Sequence, residues 1–269
     1  MTTVREPAVA GRFYPANPAQ LRADIQSYLS PPRQKTAAIG CIAPHAGYMY
    51  SGAVAGAVFS ALDIPRHAIV LGPNHTGMGH PLAIMSSGKW RSPLGEISID
   101  ADLAGRLAKE FPALTDDSAA HRAEHAVEVE LPFLQTLKSD LSFVPIAVGT
   151  SRFILLEQLG LAMASVIQDF THPVLIVASS DMNHYEDDRT TRVKDHKAIE
   201  KILAIDPAGL YQTVMNESIS MCGFGPTVAM LTAARQRGAK QAELIEYRTS
   251  GDVSGDKDMV VGYAGIVVS

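Results

Sequence analysis

Three histidines of this sequence follow directly on apolar, strand-like runs and lie in turns. His45 lies in IGCIAPHAGYMYSG, His75 in IVLGPNHTGMGH, and His184 in LIVASSDMNHY, where Asp181 precedes it. An open α/β sheet binds its ligands at the carboxyl ends of its strands, so these side chains should converge at one edge. A fourth turn, MCGFGP, adds the thiol of Cys222. Imidazoles, a thiol and a carboxylate at one edge predict a metal site first and a hydrolase second.

The turns around His45 and His75 are suited to metal binding. Proline and glycine stiffen both turns, so that each can aim an imidazole ring. A neutral imidazole donates one lone pair to a metal, while a carbonyl or carboxylate holds its other N–H group. His184 is the candidate acid/base. Asp181 has three interpretations: it orients His184, binds a metal beside it, or caps the following helix.

Cys222 also supports a different chemistry. It lies at a turn that leads into a helix predicted to begin near Thr227, and a thiol at such a position can have a lowered pKa. Together with His184 and Asp181 it supplies the residue types of a thiol hydrolase. The sequence contains no GxSxG nucleophile elbow and no GxGxxG or Walker loop, so serine hydrolase and nucleotide chemistry have no motif support.

The segment DDSAAHRAEHAVEVELPFL is a further helix candidate, which Pro132 is expected to end. His121, Glu124, His125 and Glu128 recur at steps of three and four, which would place them on one helix face. Such a stripe forms either a solvated polar face or part of a pocket wall. The sequence leaves the role of these four residues open.

The elements that must position these residues are indicated by the hydrophobic pattern. Short apolar runs predict strands, most of them buried on both faces: CIAP after Ala37, AIVLGP from Ala68, LAIM from Leu82, FVPIAV from Phe143, VLIVASS from Val174 and MVVGYAGIVV from Met259. Helical spacing lies between them, at residues 52 to 62, 100 to 110, 152 to 169, 190 to 203 and 226 to 237. This alternation predicts an α/β fold, a three-layer α/β/α arrangement with a mixed, largely parallel sheet, forming a single domain over residues 1–269. LGEISID is expected to form a hairpin with LAIM.

Composition excludes several classes of partner. With a net charge of −5 and a pI near 6.0, the chain has no overall attraction for nucleic acid or anionic lipid. No signal peptide or membrane span is evident, and two cysteines are too few for a disulfide framework, which predicts a cytoplasmic protein. Cys41, inside an apolar run, is expected to be a buried core residue. A small molecule or a peptide is the expected partner, and the oligomeric state is not predicted.

Several segments together resemble one known family. REPAVAGRFYPANP, APHAGYMYSG, LGPNHTG, EHAVEVELPFL, SSDMNHY, MCGFGP and TSGDVSGDKDMVVGYAG occur in the order and with the wording typical of the Memo-like family. The resemblance runs from Arg5 to the last predicted strand. It is specific because it has many parts.

The resemblance implies a fold similar to that of the class III extradiol dioxygenases, whose non-haem iron is held by two histidines and a carboxylate. It implies that His45 and His75 bind the metal, that Cys222 replaces the carboxylate, and that Asp181 and His184 line the same pocket. Two histidines and a carboxylate suit Fe(II), whereas the softer thiolate shifts the preference toward copper, zinc or a more electron-rich iron. The expected metal is therefore Fe(II) or copper, with zinc as a further candidate. The resemblance implies a metal-dependent dioxygenase or redox enzyme acting on a small molecule. The alternatives are a protein that binds metal or peptide in the same pocket without catalysis, and a cysteine-dependent hydrolase.

Overall fold

A computed structural model describes residues 3–29 and 35–269. Within these residues the strands are β1 (Val4–Arg5), β2 (Gly40–Ala43), β3 (His67–Pro73), β4 (Leu82–Ile84), β5 (Lys89–Ser92), β6 (Gly95–Ile99), β7 (Thr115–Asp116), β8 (Ser142–Val148), β9 (Val174–Ser179), β10 (His184–Glu186), β11 (Ala242–Thr249) and β12 (Val260–Val268). The helices are α1 (Pro18–Tyr28), α2 (Tyr48–Ala61), α3 (Ala101–Glu110), α4 (Ala126–Leu137), α5 (Phe153–Gln168), α6 (Asp188–Leu203), α7 (Pro207–Asn216), α8 (Phe224–Gln236) and α9 (Gly251–Ser254).

The centre of the sheet consists of parallel strands that are buried on both faces. β8, β3, β9 and β2 lie side by side in that order, and each neighbouring pair is parallel. Their runs of Val, Ile, Leu and Ala leave almost no side chain exposed, as expected for strands covered by helices on both sides. The prediction of buried, largely parallel central strands is confirmed.

The edges of the sheet make it mixed. The full strand order is β1-β5-β6-β8-β3-β9-β2-β12-β10, and β11 pairs with β12. β12 is antiparallel to β2, β10 and β11. The predicted hairpin between LAIM and LGEISID is wrong, because β6 pairs antiparallel with β5 and parallel with β8, whereas β4 pairs with β8 and β7.

Helices cover both faces of the sheet. On β12, a side chain added at Gly265 would meet Val58 of α2, whereas one added at Gly262 would meet Asp195 of α6. Positions an odd number of residues apart along a strand point to opposite faces, so α2 and α6 lie on opposite sides. The three-layer α/β/α prediction is therefore confirmed.

The predicted helices correspond to α2, α3, α5, α6 and α8, with one correction at α4. The stripe residues do not share a helix face, since His121 ends the 3₁₀ turn Ser118–His121 and α4 begins only at Ala126. Pro132 lies inside α4 and does not end it. At this interior position proline removes one helical hydrogen bond, the one to the carbonyl oxygen of Glu128, and the rest of α4 continues past it.

Two smaller observations concern burial and membranes. Cys41 is buried and unpaired in the core, as predicted. Across residues 3–29 and 35–269, the helices are all too short or too polar to cross a membrane.

Candidate functional site

Three neighbouring strands deliver the predicted site residues to one edge of the sheet. β3, β9 and β2 lie side by side and run parallel, so their carboxyl ends meet. His75 follows β3, Asp181 follows β9, and His45 follows β2. This is the position at which open α/β sheets bind ligands.

A cavity of about 590 Å³ opens at this edge. Its lining combines imidazoles with aromatic and small side chains: Phe13, His45, Ala46, Gly47, His75, His125, Asp181, His184, Tyr185, Ser220, Cys222, Val261 and Tyr263. All five predicted site residues are in this lining. The structure therefore brings them together, and it adds His125.

Three imidazoles form the centre of the cavity wall. Each of His45, His75 and His125 offers a ring nitrogen, and these atoms all lie within 4.8 Å of one another. The rings of His75 and His125 are stacked, with centroids 4.7 Å apart and planes inclined by 16°. His45 lies deepest, with 1% of its surface exposed, whereas His75 reaches solvent. This group can hold a metal ion that enters from the open side.

His45 is fixed by contacts on both its backbone and its ring. Its backbone N–H donates to Oδ1 of Asp181 at 2.8 Å, and its Nδ1 lies 2.7 Å from Oγ of Ser179. When Nδ1–H of His45 donates to Oγ of Ser179, the lone pair of Nε2 points into the cavity. Burial, followed by the neighbouring imidazoles, holds the pKa of His45 well below its ordinary value, so the ring is neutral.

Glu124 holds the other two imidazoles. Its Oε1 lies 2.9 Å from Nδ1 of His75 and 3.5 Å from Nδ1 of His125, and it accepts hydrogen bonds from the first backbone N–H groups of α4. Burial opposes ionisation of Glu124, but the His75 hydrogen bond and the Ala126 N–H outweigh it, and the pKa of Glu124 is lowered. A carboxylate that accepts from a histidine Nδ1 fixes the ring and leaves Nε2 to a metal.

Glycine at position 72 allows α4 to approach the sheet closely. A Cβ atom at Gly72 of β3 would lie 2.8 Å from Cβ of Ala126 and 3.2 Å from the backbone N of Val127. Any larger residue would push the start of α4, and with it His125, away from His75. The sequence segment LGPNH thus positions two imidazoles, through His75 directly and through Gly72 indirectly.

Cys222 enters the cavity from the turn before α8. Its Sγ lies 3.3 Å from Nε2 of His45 and 3.7 Å from the carbonyl oxygen of Asp181. Burial, with a smaller contribution from Asp181, raises the pKa of the Cys222 thiol. The expectation that the turn lowers the pKa of this thiol is therefore wrong, because the effect of burial outweighs that of the adjacent helix N-terminus.

Asp181 and His184 complete the wall beside the imidazoles. Burial raises the pKa of Asp181 to about 7, although the backbone N–H groups of His45 and Ala46 favour its ionised form. The Nδ1–H of His184 donates to the carbonyl oxygen of Ser220 at 2.9 Å, which orients the ring. Burial lowers the pKa of His184. Asp181 can therefore exchange a proton near neutral pH, whereas the lowered pKa of His184 favours its neutral ring.

The N-terminal segment forms one wall of the cavity. Glu128, in the first turn of α4, accepts hydrogen bonds from the backbone of Ala8 and Val9 and pairs with the buried Arg5. This arrangement places the ring of Phe13 4.7 Å from that of His125. Glu128 therefore holds the wall, and it does not line the cavity itself.

Of the stripe residues, only His125 lines the cavity, while Glu124 and Glu128 support it from behind. His121 lies elsewhere, packed against the ring of Trp90 with centroids 5.7 Å apart. The sequence indicated the stripe but could not assign these roles, because they depend on the break before α4. Ser179 was missed, since a serine at the end of a buried strand has no sequence signal of its own.

An open, largely parallel α/β sheet with a histidine-rich cavity at its carboxyl edge defines the general class of this protein. Residues 5–267 match the family described as "Memo-like protein", and the chain belongs to that family. A MEMO1 family protein of Methanopyrus kandleri is 42% identical over 277 residues, covering 98% of both chains. A MEMO1 family protein of Methanosarcina barkeri is 40% identical over 267 residues, covering 98% of this chain and all of that protein.

Among solved structures, an uncharacterized protein from Escherichia coli K12 is similar in fold. The TM-score is 0.52 at 14% sequence identity, and the match covers 83% of this chain and 98% of that chain. At this identity the likeness shows the fold alone.

Proposed function

We propose that the cavity binds one transition metal ion, Fe(II) or copper in the first instance and zinc as a further candidate, and that the protein is a metal-dependent redox enzyme of dioxygenase type that acts on a small molecule. The observation that carries the proposal is the group of His45, His75 and His125, whose ligand atoms lie within 4.8 Å of one another at the ligand-binding edge of the sheet. Oriented imidazoles that share one open cavity are a common arrangement of a metal centre.

The proposed ligands are His45, His75 and Cys222. Two donors bound to one ion at about 2.0 and 2.3 Å in a tetrahedral arrangement lie about 3.5 Å apart. The separation of 3.3 Å between Nε2 of His45 and Sγ of Cys222 is close to this value. His125 is the alternative third ligand. A site with Cys222 is softer and favours copper or an electron-rich iron, whereas three imidazoles suit iron, copper and zinc alike.

The proposed roles of the remaining residues follow from their positions in the wall. A bound ion with open coordination positions would supply redox and Lewis-acid chemistry to the substrate. His184, whose Nδ1–H is held by the carbonyl oxygen of Ser220, would accept or donate the substrate proton at Nε2. Asp181 holds the backbone of His45 in place and supplies a second proton-exchanging group.

A non-catalytic protein that binds metal or peptide in the same cavity is the alternative. The exposed Tyr185, 69% accessible at the rim, supports it, because it provides a contact surface outside the imidazole group. The thiol hydrolase receives no such support, since burial raises the pKa of Cys222 and keeps its nucleophile protonated.

Anaerobic titration of the metal-free protein with Fe(II), Cu(I) and Zn(II) tests the proposal. Wild type should bind one ion, His45→Ala should bind none, and Cys222→Ala should bind much more weakly than His125→Ala. Cys41→Ala and His172→Ala are matched controls, because Cys41 is buried in the core and His172 is an exposed residue outside the cavity. A wild-type protein that binds no metal, or a His45→Ala variant that retains one ion, would contradict the metal site.

Oxygen consumption by the iron- or copper-loaded protein with a panel of catechols separates the enzyme from the binding protein. Turnover that is lost in His184→Ala, while metal stoichiometry is retained, supports catalysis. Slow oxidation that is equal in both proteins supports a binding role.

A further inference from the structure

Glu130 is a fully buried carboxyl group that the proposed chemistry does not use. It lies in α4 with 0% of its surface exposed. Its Oε1 lies 2.7 Å from Oγ of Ser179, and its Oε2 has no hydrogen-bond partner. A buried carboxylate normally has a cation or several N–H donors around it. Glu130 has instead a single polar contact, with the hydroxyl of Ser179.

The hydroxyl of Ser179 has three polar neighbours. They are Nδ1 of His45 at 2.7 Å, the carbonyl oxygen of Ala126 at 2.8 Å, and Oε1 of Glu130 at 2.7 Å. A serine hydroxyl donates one hydrogen and accepts two. Three contacts of this length are therefore all hydrogen bonds only if two of the neighbours donate to Oγ.

Counting protons leaves one arrangement in which every contact is satisfied. The carbonyl of Ala126 can only accept, so it takes the Ser179 hydrogen. His45 then donates from Nδ1, and Glu130 must donate from a protonated carboxyl group. With Glu130 ionised, the single Ser179 hydrogen would be shared by two acceptors, and a bare carboxylate oxygen would stay buried without a partner.

We propose that Glu130 is a protonated positioning residue, which donates to Ser179 and thereby fixes His45 as the Nδ1–H tautomer with its Nε2 lone pair aimed into the cavity. Burial, reinforced by the nearby Asp181, raises the pKa of Glu130 well above its ordinary value even though the Ser179 hydrogen bond acts in the other direction. The consequence for metal affinity rests on the proposed function, whereas the protonation of Glu130 does not.

The infrared spectrum of the metal-free protein at neutral pH tests the protonation directly. Part of the carbonyl stretch of protonated carboxylic acids in wild type should be lost in Glu130→Gln and retained in Asp181→Asn, which serves as the control because Asp181 and Asp195 are also partly protonated near neutral pH. Nitrogen-15 NMR of labelled histidine should show His45 protonated at Nδ1 in wild type and in Glu130→Gln, whose amide can donate to Ser179 as the acid does.

Metal titration tests the effect on His45. Glu130→Gln should bind the same ion as tightly as wild type, and Glu130→Leu, which cannot donate to Ser179, should bind on the order of tenfold more weakly. Ser179→Ala should lose a similar factor and replaces Glu130→Leu if that variant does not fold.

The outcomes separate this inference from the metal site itself. No Glu130-dependent acid band, or equal loss of affinity in Glu130→Gln and Glu130→Leu, would overturn the positioning role while the metal site stands. A wild-type protein that binds no metal would contradict the proposed function, and the infrared band would still decide the state of Glu130.

Discussion

Oε1 of Glu124 lies 2.9 Å from Nδ1 of His75, and the carboxylate that carries it is 1% exposed. The same oxygen accepts the backbone N–H groups of His125 and Ala126 at the start of α4. One buried carboxylate therefore orients an imidazole from β3 and fixes the helix start that carries a second one. Glu124 therefore sets the spacing between the two rings together with the close approach of α4 at Gly72.

Replacing Glu124 should weaken metal binding in a graded way. Glu124→Gln keeps an oxygen that can accept from His75, whereas Glu124→Ala removes it, so we expect the alanine variant to lose roughly 10–100-fold in metal affinity and the glutamine variant less. Isothermal titration calorimetry measures both. Glu96→Ala, which removes an exposed carboxylate paired with Lys89 and Arg91, is the control and should bind as wild type does. Equal affinity of Glu124→Ala and Glu96→Ala would sink this role for Glu124.

Proton release should identify the third ligand. The pKa of the Cys222 thiol is raised by burial, so a metal bound through Cys222 must displace its proton, whereas burial already keeps His45 and His125 neutral by lowering their pKa values. We expect wild type to release about one proton per metal ion at neutral pH and Cys222→Ala to release almost none. Calorimetry in buffers of different ionisation enthalpy gives this number. Release that is the same in both proteins would assign the third position to His125.

Removing Glu128 should unfold the N-terminal wall. Arg5 is buried and pairs with this carboxylate, which also accepts from Ala8, Val9 and the hydroxyl of Tyr14. Breaking a buried pair leaves an uncompensated charge, so Glu128→Ala should lower the free energy of unfolding by about 3–5 kcal/mol. Denaturant titration measures the loss.

The control for Glu128 is an exposed ion pair. Arg91 contacts Glu6 and Glu96 at the surface, and Arg91→Ala should cost far less stability than Glu128→Ala because solvent screens such pairs. Similar losses in Glu128→Ala and Arg91→Ala would show that the N-terminal segment is not held by Glu128.

Asp195 should give stability an unusual dependence on pH. It is fully buried, and burial raises its pKa to about 6 although the hydroxyl of Tyr247 and the N–H of Asn183 favour the carboxylate. The folded protein then binds more protons than the unfolded chain between about pH 4 and pH 6. The stability that protonated Asp195 contributes is therefore complete below about pH 4 and is lost as the pH rises through about 6. Two pKa units correspond to at most about 3 kcal/mol.

Asp195→Asn removes this titration. The unfolding free energy of wild type minus that of the variant should therefore fall from about pH 4 to about pH 6 and stay level above it. Denaturant titrations across that range provide the measurement, and Asp102→Asn on the exposed face of α3 is the control. A difference that is constant with pH would show that Asp195 titrates normally.

The single domain predicted for residues 1–269 stays a prediction with a direct test. One apolar cluster extends from Val9 to Val268, which favours cooperative unfolding. Scanning calorimetry should show one transition whose calorimetric and van't Hoff enthalpies agree. Two resolved transitions would divide the chain.

The sequence predicts well those features that depend on local pattern. Buried strands such as β3 and β9 correspond to continuous apolar runs rich in β-branched residues. Strands of this kind, alternating with helices along the chain, are typical of a parallel sheet covered by helices on both faces. His45, His75 and His184 could be predicted as neighbours for the same reason, since each follows such a strand.

Features that depend on contacts between distant segments could not be predicted. The hydrophobic pattern indicated β4 as the partner of β6, and only the packing of the whole edge selects β5 instead. His125 lies in a stripe with helical spacing, but Glu124 interrupts the helix by capping α4 with its side chain, and a periodic pattern does not reveal that break. Glu130 reads as one more helix residue until Ser179 is placed beside it.

Phe13 and Tyr263 line the same cavity, although one precedes α1 and the other lies in β12. During synthesis, His45 and His75, which follow β2 and β3, leave the ribosome long before β12 can pair with β2 and complete the cavity wall. The cavity therefore reaches its final geometry only after translation has passed Tyr263, so under the proposed function metal loading would be a late step in the maturation of this protein.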